Sequence, residues 1–316
     1  TSSQSEKVIM QEIRIISRNS KLAMWQAELV KAQLIQHYPQ LIVKIIGITT
    51  EGDRVLDKAL DEIGGKGLFI KELEYQLLAG SADIAVHSLK DLPANLLSEF
   101  AIGAILPRGN PFDALVSNHY TSLDAMPAGS LIGSSSARRV AILNKYYPQL
   151  KTKLLRGNLQ TRINKLDNGE YDAIILAVAG LERLGLEARI AQVLPAKQFI
   201  PAIGQGALAI EICTERPELK KLLEPLNDSI SAARVGAERE MGRFLKASCN
   251  LPIAGFAELV ENKLHLNALI ADSQAGIYLT ASASGQPDDY IALGQECAQQ
   301  LLAQGAASIV TKYAKH

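Results

Sequence analysis

The stretch Ala82-Asp83-Ile84-Ala85-Val86-His87-Ser88-Leu89-Lys90-Asp91-Leu92-Pro93 is an apolar run that ends in a charged pair and a proline. Its apolar residues predict a buried strand. Pro93 disfavours helix in the residue before it, so residues 88–92 are expected to leave the strand as a loop. Open α/β sheets bind ligands at the carboxyl ends of their strands. Lys90 and Asp91 are therefore candidate site residues, and a solvated surface ion pair is the alternative.

The chain before this stretch alternates short apolar strands with amphipathic segments. Residues 13–17 and 42–48 predict strands on either side of a helix that Ser20 caps. This βαβ pattern predicts a parallel sheet. Residues 49–67 are polar and rich in glycine, which is typical of a lid or a disordered loop. A helix is expected over 68–79, with Gly80 at its end.

The chain after Phe112 repeats the arrangement. Strands are predicted at 130–133, 153–155 and 173–177, with helices at 137–147 and 159–168. In both halves a strand leads through a serine turn with an arginine into a helix. Two lobes of one kind imply a cleft between them.

The rest of the chain predicts a return crossing and a third domain. Residues 199–205 resemble a hinge, and 207–212 a strand that rejoins the first lobe. Beyond Pro217 the pattern indicates charged helices, a loop that holds Cys249, and alternating strands, which is typical of a small α+β domain. The predicted domains are lobe 1 (10–106 plus 206–224), lobe 2 (112–200) and a C-terminal domain (228–316).

Composition excludes several classes of function. The chain has 316 residues, 47% of them hydrophobic, with Lys+Arg and Asp+Glu both at 33, so no global field attracts nucleic acid or a membrane surface. It has no apolar run of membrane-spanning length and a polar start without a signal core, so a cytoplasmic protein is expected. The cysteines, at 213, 249 and 297, and the five histidines lack ligand spacing, and we expect no metal.

Two adjacent arginines, Arg138 and Arg139, stand in the first turn of a predicted helix. Cations at that end cost about 0.3 to 1 kcal/mol each, so an anion is the physical reason to keep them. Comparable strand exits or helix starts hold four more arginines, Arg18, Arg156, Arg162 and Arg183. Each alone is ordinarily a surface residue, but together they indicate a ligand with several carboxylates, because the chain has no phosphate-loop motif.

Asp91 is then an acidic residue in a basic cleft, able to hydrogen-bond a cationic N–H or to transfer its proton. Cys249 allows two interpretations. Free cysteines are most often buried structural residues. Cys249, however, follows Ala247-Ser248 and precedes Pro252 in a predicted loop, which could present a thiol to the cleft.

The sequence closely resembles a known family, the porphobilinogen deaminases or hydroxymethylbilane synthases. The segments that carry the resemblance are Gly64-Gly65-Lys66-Gly67-Leu68-Phe69, Val86 to Pro93, Gly133 to Arg139, Leu155-Arg156-Gly157-Asn158, Leu166 to Ala173, Pro201 to Gly206, and Glu238-Arg239 through Cys249 to Pro252. They span nearly the whole chain.

The resemblance implies two lobes like those of periplasmic binding proteins, flanking a cleft, plus a small α+β C-terminal domain. It implies a transferase of tetrapyrrole and haem biosynthesis that deaminates four porphobilinogen molecules and joins them head to tail. The primer is a dipyrromethane cofactor, bound to Cys249 through a thioether, and hydrolysis releases the linear hydroxymethylbilane. A monomer is expected.

The resemblance also implies roles for individual residues. Asp91, with Lys90, is catalytic and stabilises a cationic azafulvene. The cofactor is held by Lys90, Asp91, Ser88, Ser134, Ser135, Ser136, Arg138 and Arg139. The substrate is bound by Arg18, Ser20, Lys66, Phe69, Arg156, Arg162, Arg183 and Gln205. Glu62 departs from the family pattern, in which the lid often has lysine at this position.

Two other classes of protein are alternatives. A non-catalytic two-lobed binding protein for a small organic polyanion would need neither Cys249 nor Asp91, and it would usually carry a secretory signal. A nucleic-acid-binding protein would need a basic domain with interleaved aromatics, whereas aromatics are 5% of this chain and the net charge is zero.

Overall fold

The computed structural model describes residues 10–51 and 69–314. The first lobe contains β1 (Glu12–Arg18), α1 (Lys21–His37), β2 (Ile42–Ile48), α2 (Lys71–Leu78), β3 (Ile84–Ser88) and β4 (Phe100–Ile105). The helix predicted over 68–79 is shorter in the structure, and Leu68 lies outside the described residues. Gly80 follows α2 with a φ of 70°, the left-handed conformation expected of a glycine that ends a helix.

The second lobe contains β5 (Asp113–Val116), β6 (Leu131–Gly133), α3 (Ala137–Tyr146), β7 (Lys151–Lys153), α4 (Leu159–Asp167), β8 (Ala173–Ala177), α5 (Val178–Arg183) and β9 (Ile190–Val193). The chain then returns through β10 (Leu208–Cys213) and α6 (Pro217–Leu223). The third domain comprises α7 (Ser229–Phe244), β11 (Ile253–Val260), β12 (Lys263–Asp272), β13 (Ile277–Gly285), α8 (Tyr290–Ala303) and α9 (Ala306–Ala314).

The two lobes have sheets of one design. Their strand orders are β2-β1-β3-β10-β4 and β7-β6-β8-β5-β9. In each sheet three parallel strands are followed by the strand that crosses between the lobes, β10 or β5, which runs antiparallel to both of its neighbours. The third sheet is an antiparallel meander, β11-β12-β13. The predicted α/β class with two similar lobes and an α+β domain is confirmed, while the exact domain limits stay a prediction.

The antiparallel crossing strands determine where the hinge lies. The first residue of β10, Leu208, pairs with Ser88 at the end of β3. Asp113, the first residue of β5, pairs with Ala177 at the end of β8. Both crossings therefore reach their sheets at the carboxyl edges of the parallel strands, where α/β sheets bind ligands.

Apolar burial follows the sequence pattern. Ile13, Ile15 and Ile84 of the first sheet are fully buried and pack with α1 and α6 on one face. The opposite face packs against α2 and against Val235 of α7. None of the helices in the described part of the chain combines the length and the apolar character that crossing a bilayer requires.

Candidate active site

The segment that ends in Asp91 leaves the first sheet as one tight turn. A short 3-10 helix, Leu89–Asp91, follows β3 directly. Leu89 and Leu92 are 1% and 6% exposed, whereas Lys90 and Asp91 between them are half-buried. The two leucines anchor the turn, so the charged side chains between them remain accessible.

The returning hinge supports this turn from behind. The backbone N–H of Leu89 donates to the carbonyl of Ala207 at 2.9 Å. Gly204 has a φ of 73°, and a Cβ at this position would lie 2.9 Å from Leu89 Cγ. Glycine is needed here both for its backbone conformation and for the close approach of Leu89.

Charges from both lobes meet at Arg162. Burial, and then the charge of Arg139, lowers the pKa of Arg162 to about 10. Arg156 and Arg18 act in the same direction, while Asp91 opposes them. Arg18 and Asp91 belong to the first lobe, and the other arginines to the second. The fold therefore brings Asp91 and three arginines, from distant parts of the sequence, within electrostatic reach of Arg162.

The arginine pair at the start of α3 binds an anion of the chain itself. Arg138 donates to the Asp113 carboxylate at 2.7 and 3.1 Å and to the Ile200 carbonyl at 2.9 Å. Arg139 Nε donates to Asp113 Oδ1 at 3.0 Å. Asp113 is fully buried, so these guanidinium groups already have an anionic partner within the chain, and their predicted contacts with the cofactor stay a prediction. Burial alone would raise the pKa of Asp113, but the charges of Arg138 and Arg139 outweigh it and hold the pKa well below its usual range.

Gln205 links this cluster to both hinge segments. Its Nε2 donates to the Pro111 carbonyl at 2.7 Å and to Asp113 Oδ1 at 3.1 Å. Its Oε1 lies 3.5 Å from Arg139 Nη2. The predicted substrate contact of Gln205 stays a prediction, and in this structure the amide ties the hinge to the arginines.

The serine turn before α3 is a helix cap. Ser136 Oγ accepts from the backbone N–H of Arg139 at 3.3 Å, and Ser134 Oγ accepts from that of Ser136 at 3.2 Å. Ser134 is 4% exposed, while Ser135 and Ser136 are half-buried. Local capping thus accounts for two of the hydroxyls that the resemblance assigns to the cofactor.

The first lobe has the matching arrangement. Ser20 caps α1 by accepting from the backbone N–H of Ala23 at 3.3 Å. Ser88, at the end of β3, shares a hydrogen bond with Gln26, whose Nε2 lies 3.1 Å from its Oγ. Both hydroxyls lie at the carboxyl edge of the sheet, where their predicted ligand roles would require them.

Arg156 comes three residues after its strand. The predicted strand at 153–155 is shifted, because β7 pairs with β6 only over Lys151–Lys153. Leu155 is fully buried and Arg156 is 5% exposed. The loop that follows folds back, with Arg162 Nε donating to the Gly157 carbonyl at 2.8 Å.

Two further arginines contact aromatic side chains of the first lobe. The Arg18 guanidinium lies 4.2 Å from the ring centroid of Phe69. Arg183 lies 6.0 Å from the ring centroid of Trp25 and donates to the Gly206 carbonyl at 2.8 Å. Burial lowers the pKa of Arg183 to about 10. Lys66 and Glu62 lie outside the described residues.

The three cysteines differ in accessibility. Cys297 is buried, and burial raises the pKa of its thiol to about 12. Cys213 is half-buried, and Cys249 is exposed. A covalent attachment requires an accessible sulfur, so the structure favours Cys249 among the three.

The loop that carries Cys249 is tied to the end of α7. The backbone N–H of Ala247 donates to the carbonyl of Gly242 at 2.9 Å. A Cβ at Gly242 would lie 3.9 Å from Ala94 Cβ and 3.0 Å from Ile203 Cδ1. α7 therefore contacts both the segment that follows Asp91 and the hinge. Cys249 comes seven residues after this contact at Gly242.

Two polar clusters around the hinge were not among the predicted site residues. One centres on Asp113, whose signal was a lone carboxylate in the apolar run Phe112 to Val116. The other joins Arg108 to Glu238 at 2.6 and 3.1 Å, and the Glu238 carboxylate also accepts from the backbone N–H of Gly204 at 2.7 Å. These partners are 130 residues apart in the chain, and no local pattern indicates such a pair.

Two family profiles match most of the chain. The profile described as "Porphobilinogen deaminase, dipyromethane cofactor binding domain" matches residues 13–221. A second profile, "Porphobilinogen deaminase, C-terminal domain", matches residues 232–303. The chain belongs to the porphobilinogen deaminase family.

Curated porphobilinogen deaminases resemble the chain over nearly its whole length. That of Chromobacterium violaceum is 52% identical over 301 residues, which cover 95% of this chain and 97% of the relative. The deaminase of Laribacter hongkongensis is 50% identical, with 95% and 98% covered. That of Neisseria meningitidis serogroup B is 49% identical over 296 residues, with 94% and 95% covered.

Solved structures with a similar arrangement include two periplasmic proteins. The VFT2 domain of Bordetella pertussis BvgS is 18% identical, with a TM-score of 0.42 and with 73% of this chain and 92% of that chain covered. A periplasmic substrate-binding protein of an ABC transporter from Coxiella burnetii is 16% identical, with a TM-score of 0.44 and with 68% and 91% covered.

Proposed function

We propose that the protein is a hydroxymethylbilane synthase, which deaminates four porphobilinogen molecules and joins them head to tail before hydrolysis releases the linear product. Membership of the porphobilinogen deaminase family supports this activity. The observation that carries the proposal to particular residues is the meeting of Asp91 with arginines of both lobes around Arg162.

The arginines account for recognition of the substrate. Porphobilinogen carries an acetate and a propionate group, so a growing chain accumulates carboxylates. Arg18, Arg156 and Arg162 present positive charge at the carboxyl edges of the two sheets. A hydrogen bond to a charged group contributes roughly 1.5 to 3 kcal/mol, so several arginines can retain a polyanion while it lengthens.

Asp91 is the acidic group in this field. Loss of ammonia leaves a cation that is delocalised over a pyrrole ring, and a carboxylate close to that ring stabilises the cation by its charge. The same carboxylate can accept the pyrrole N–H, and it can take a proton when the new carbon–carbon bond is formed. Lys90 supplies the neighbouring positive charge, suited to a substrate or cofactor carboxylate.

The residues present fit a covalently held dipyrromethane. Cys249 provides an exposed thiol, and the acidic side chains of such a group would meet Arg139 and the serine turn at 134–136. When bound, the dipyrromethane supplies the primer to which substrate units are added. The chain's own task is to hold its carboxylates and to keep Asp91 beside the reacting ring.

We further propose that the enzyme acts as a cytoplasmic monomer, with porphobilinogen as its small-molecule substrate. The described structure has no disulfide among its three cysteines, which suits a reducing compartment. The domain limits given above and the remaining substrate contacts, including Ser20, Phe69 and Gln205, belong to the same proposal.

The test is turnover of porphobilinogen by the wild type and by Asp91→Asn. The wild type should release ammonia and form hydroxymethylbilane. Asp91→Asn should lower kcat by about 100-fold or more, the usual contribution of a positioned acid or base. Asp83→Asn is the matched control, because Asp83 pairs with Arg14 before β3, at the far end of that strand, and should retain activity. A wild type that binds porphobilinogen without turnover would favour the binding-protein alternative.

A further inference from the structure

Beneath the Asp91 turn lies a buried titratable cluster that the proposed function does not use. Glu211 of β10 is fully buried, and its Oε2 lies 2.7 Å from His87 Nε2 of β3. Glu74 of α2 is 8% exposed and acts on Glu211 across the same face of the sheet. Buried charges are costly unless they are paired, so three such groups in one lobe require a reason.

Glu211 contacts His87, which precedes the Asp91 turn, and its charge acts on Arg239, which contacts the chain just after the turn. His87 is the second-to-last residue of β3 and precedes the turn. Arg239 of α7 contacts the chain just after the turn, because its Nη2 donates to the carbonyls of Pro93 at 2.9 Å and Ala94 at 3.4 Å. Burial lowers the pKa of Arg239 to about 10, and the charge of Glu211 opposes that shift.

We propose that Glu211 is a positioning residue for catalysis, which holds both ends of the Ser88–Pro93 segment through His87 and Arg239 and so fixes Asp91. The inference rests on the proposed function. It adds a residue that touches neither substrate nor cofactor and that belongs to a different strand from Asp91. A small displacement of a catalytic carboxylate is enough to lower turnover strongly.

Glu74 completes the cluster as its proton donor. Glu211 Oε1 has no hydrogen-bond partner within normal geometry among the described residues, which leaves it as the acceptor for a protonated Glu74. Burial, and then the charge of Glu211, raises the pKa of Glu74 to about 7. The other charged or titratable groups that act on the pair are His87, Lys71, Cys213 and Arg239.

The first experiment compares steady-state kinetics of the wild type, Glu211→Gln and Glu211→Asp. Gln keeps the acceptor for His87 but removes the charge that attracts Arg239. We expect kcat to fall about tenfold while KM for porphobilinogen changes less than twofold, and Asp to recover part of kcat. Asp83→Asn is again the control for loss of a partly buried ion pair in this lobe, with kcat unchanged.

Two further variants keep the inference testable if Glu211→Gln does not fold. Arg239→Gln should reproduce the selective loss of kcat, because it releases Pro93 and Ala94. Glu74→Gln fixes a neutral donor, so the ratio of its kcat to that of the wild type should rise severalfold between pH 6 and pH 8.5. A wild-type kcat in Arg239→Gln, or a ratio for Glu74→Gln that does not change with pH, contradicts the positioning role.

The outcomes separate this inference from the proposed function. A wild type that forms no product overturns the proposed function. An active wild type with folded Glu211→Gln and Arg239→Gln variants that keep kcat within twofold overturns the positioning role alone. So does a Glu211→Gln variant whose kcat, KM and thermal stability change together, as a general loss of folding would change them.

Discussion

Replacement of Asp113 by asparagine should be among the most damaging single changes to the stability of the second lobe. The Asp113 carboxylate is fully buried and accepts hydrogen bonds from Arg138, Arg139 and Gln205 at 2.7 to 3.1 Å. The two arginines are only 5% and 6% exposed. Asparagine preserves the shape but leaves two buried guanidinium groups without a counter-charge.

The magnitude follows from the cost of breaking a buried ion pair on one side, about 3 to 5 kcal/mol. Asp172→Asn is the matched control in the same lobe, because the Asp172 carboxylate accepts from the backbone N–H of Leu131 at 2.7 Å and not from a pair of buried arginines. We expect Asp172→Asn to cost about 1 kcal/mol. Urea denaturation at neutral pH, with linear extrapolation, measures both free energies of unfolding.

The pH dependence of the free energy of unfolding is a second test of the role of the Asp113 carboxylate. The pKa of Asp113 is held below its ordinary value of about 4, so its contribution to the free energy of unfolding is present above that pH and is lost as the pH falls. The difference between wild type and Asp113→Asn should therefore shrink in acid. A difference of less than 1 kcal/mol between the Asp113 and Asp172 variants at neutral pH would refute the reasoning.

Two further predictions concern the arginines and the hinge. Arg162→Gln should lower kcat/KM for porphobilinogen about 10- to 100-fold, the value of one charge-assisted hydrogen bond. The thermal midpoint should stay equal or rise, because the variant removes a half-buried cation on which the charges of Arg139 and Arg156 act unfavourably. A lower midpoint with unchanged kcat/KM would contradict this. Gly204→Ala should lower the free energy of unfolding by about 1 to 3 kcal/mol and should lower kcat, because φ is 73° and the new methyl group would meet Leu89. Gly129→Ala is the control. Gly129 has a φ of 85° and open space around it, so this variant measures backbone strain without the Leu89 contact.

Strands of both lobes were predictable where each is a short apolar run between helix or turn signals. The structure places β2 and β8 at the predicted residues. β5 was not recognised, since Asp113 interrupts its apolar pattern, and β7 was shifted because the buried Leu155 was taken as part of the strand. Hydrophobic periodicity indicates which residues are buried, but it does not show whether a buried residue is hydrogen-bonded within a β-sheet.

The candidate site residues could be predicted where the residue type itself suggests a chemical role. Pairs whose members are far apart in the sequence could not be predicted. Arginines at strand exits predicted a polyanion site, and Asp91 was selected as a candidate because it follows a buried strand. The sequence did not show that Arg138 and Arg139 already have an internal anion in Asp113. It also did not show the Glu211–His87 pair, whose members are 124 residues apart and meet only through the pairing of β3 with β10.

The intact mass of the purified protein, beside Cys249→Ser, tests the central claim most directly. The wild type should exceed its sequence mass by one dipyrromethane, the added mass should map to the peptide that contains Cys249, and the variant should lack it. Cys213→Ser, at a half-buried cysteine, is the control and should keep the added mass. An unmodified wild type that gains no mass when porphobilinogen is supplied would contradict the account.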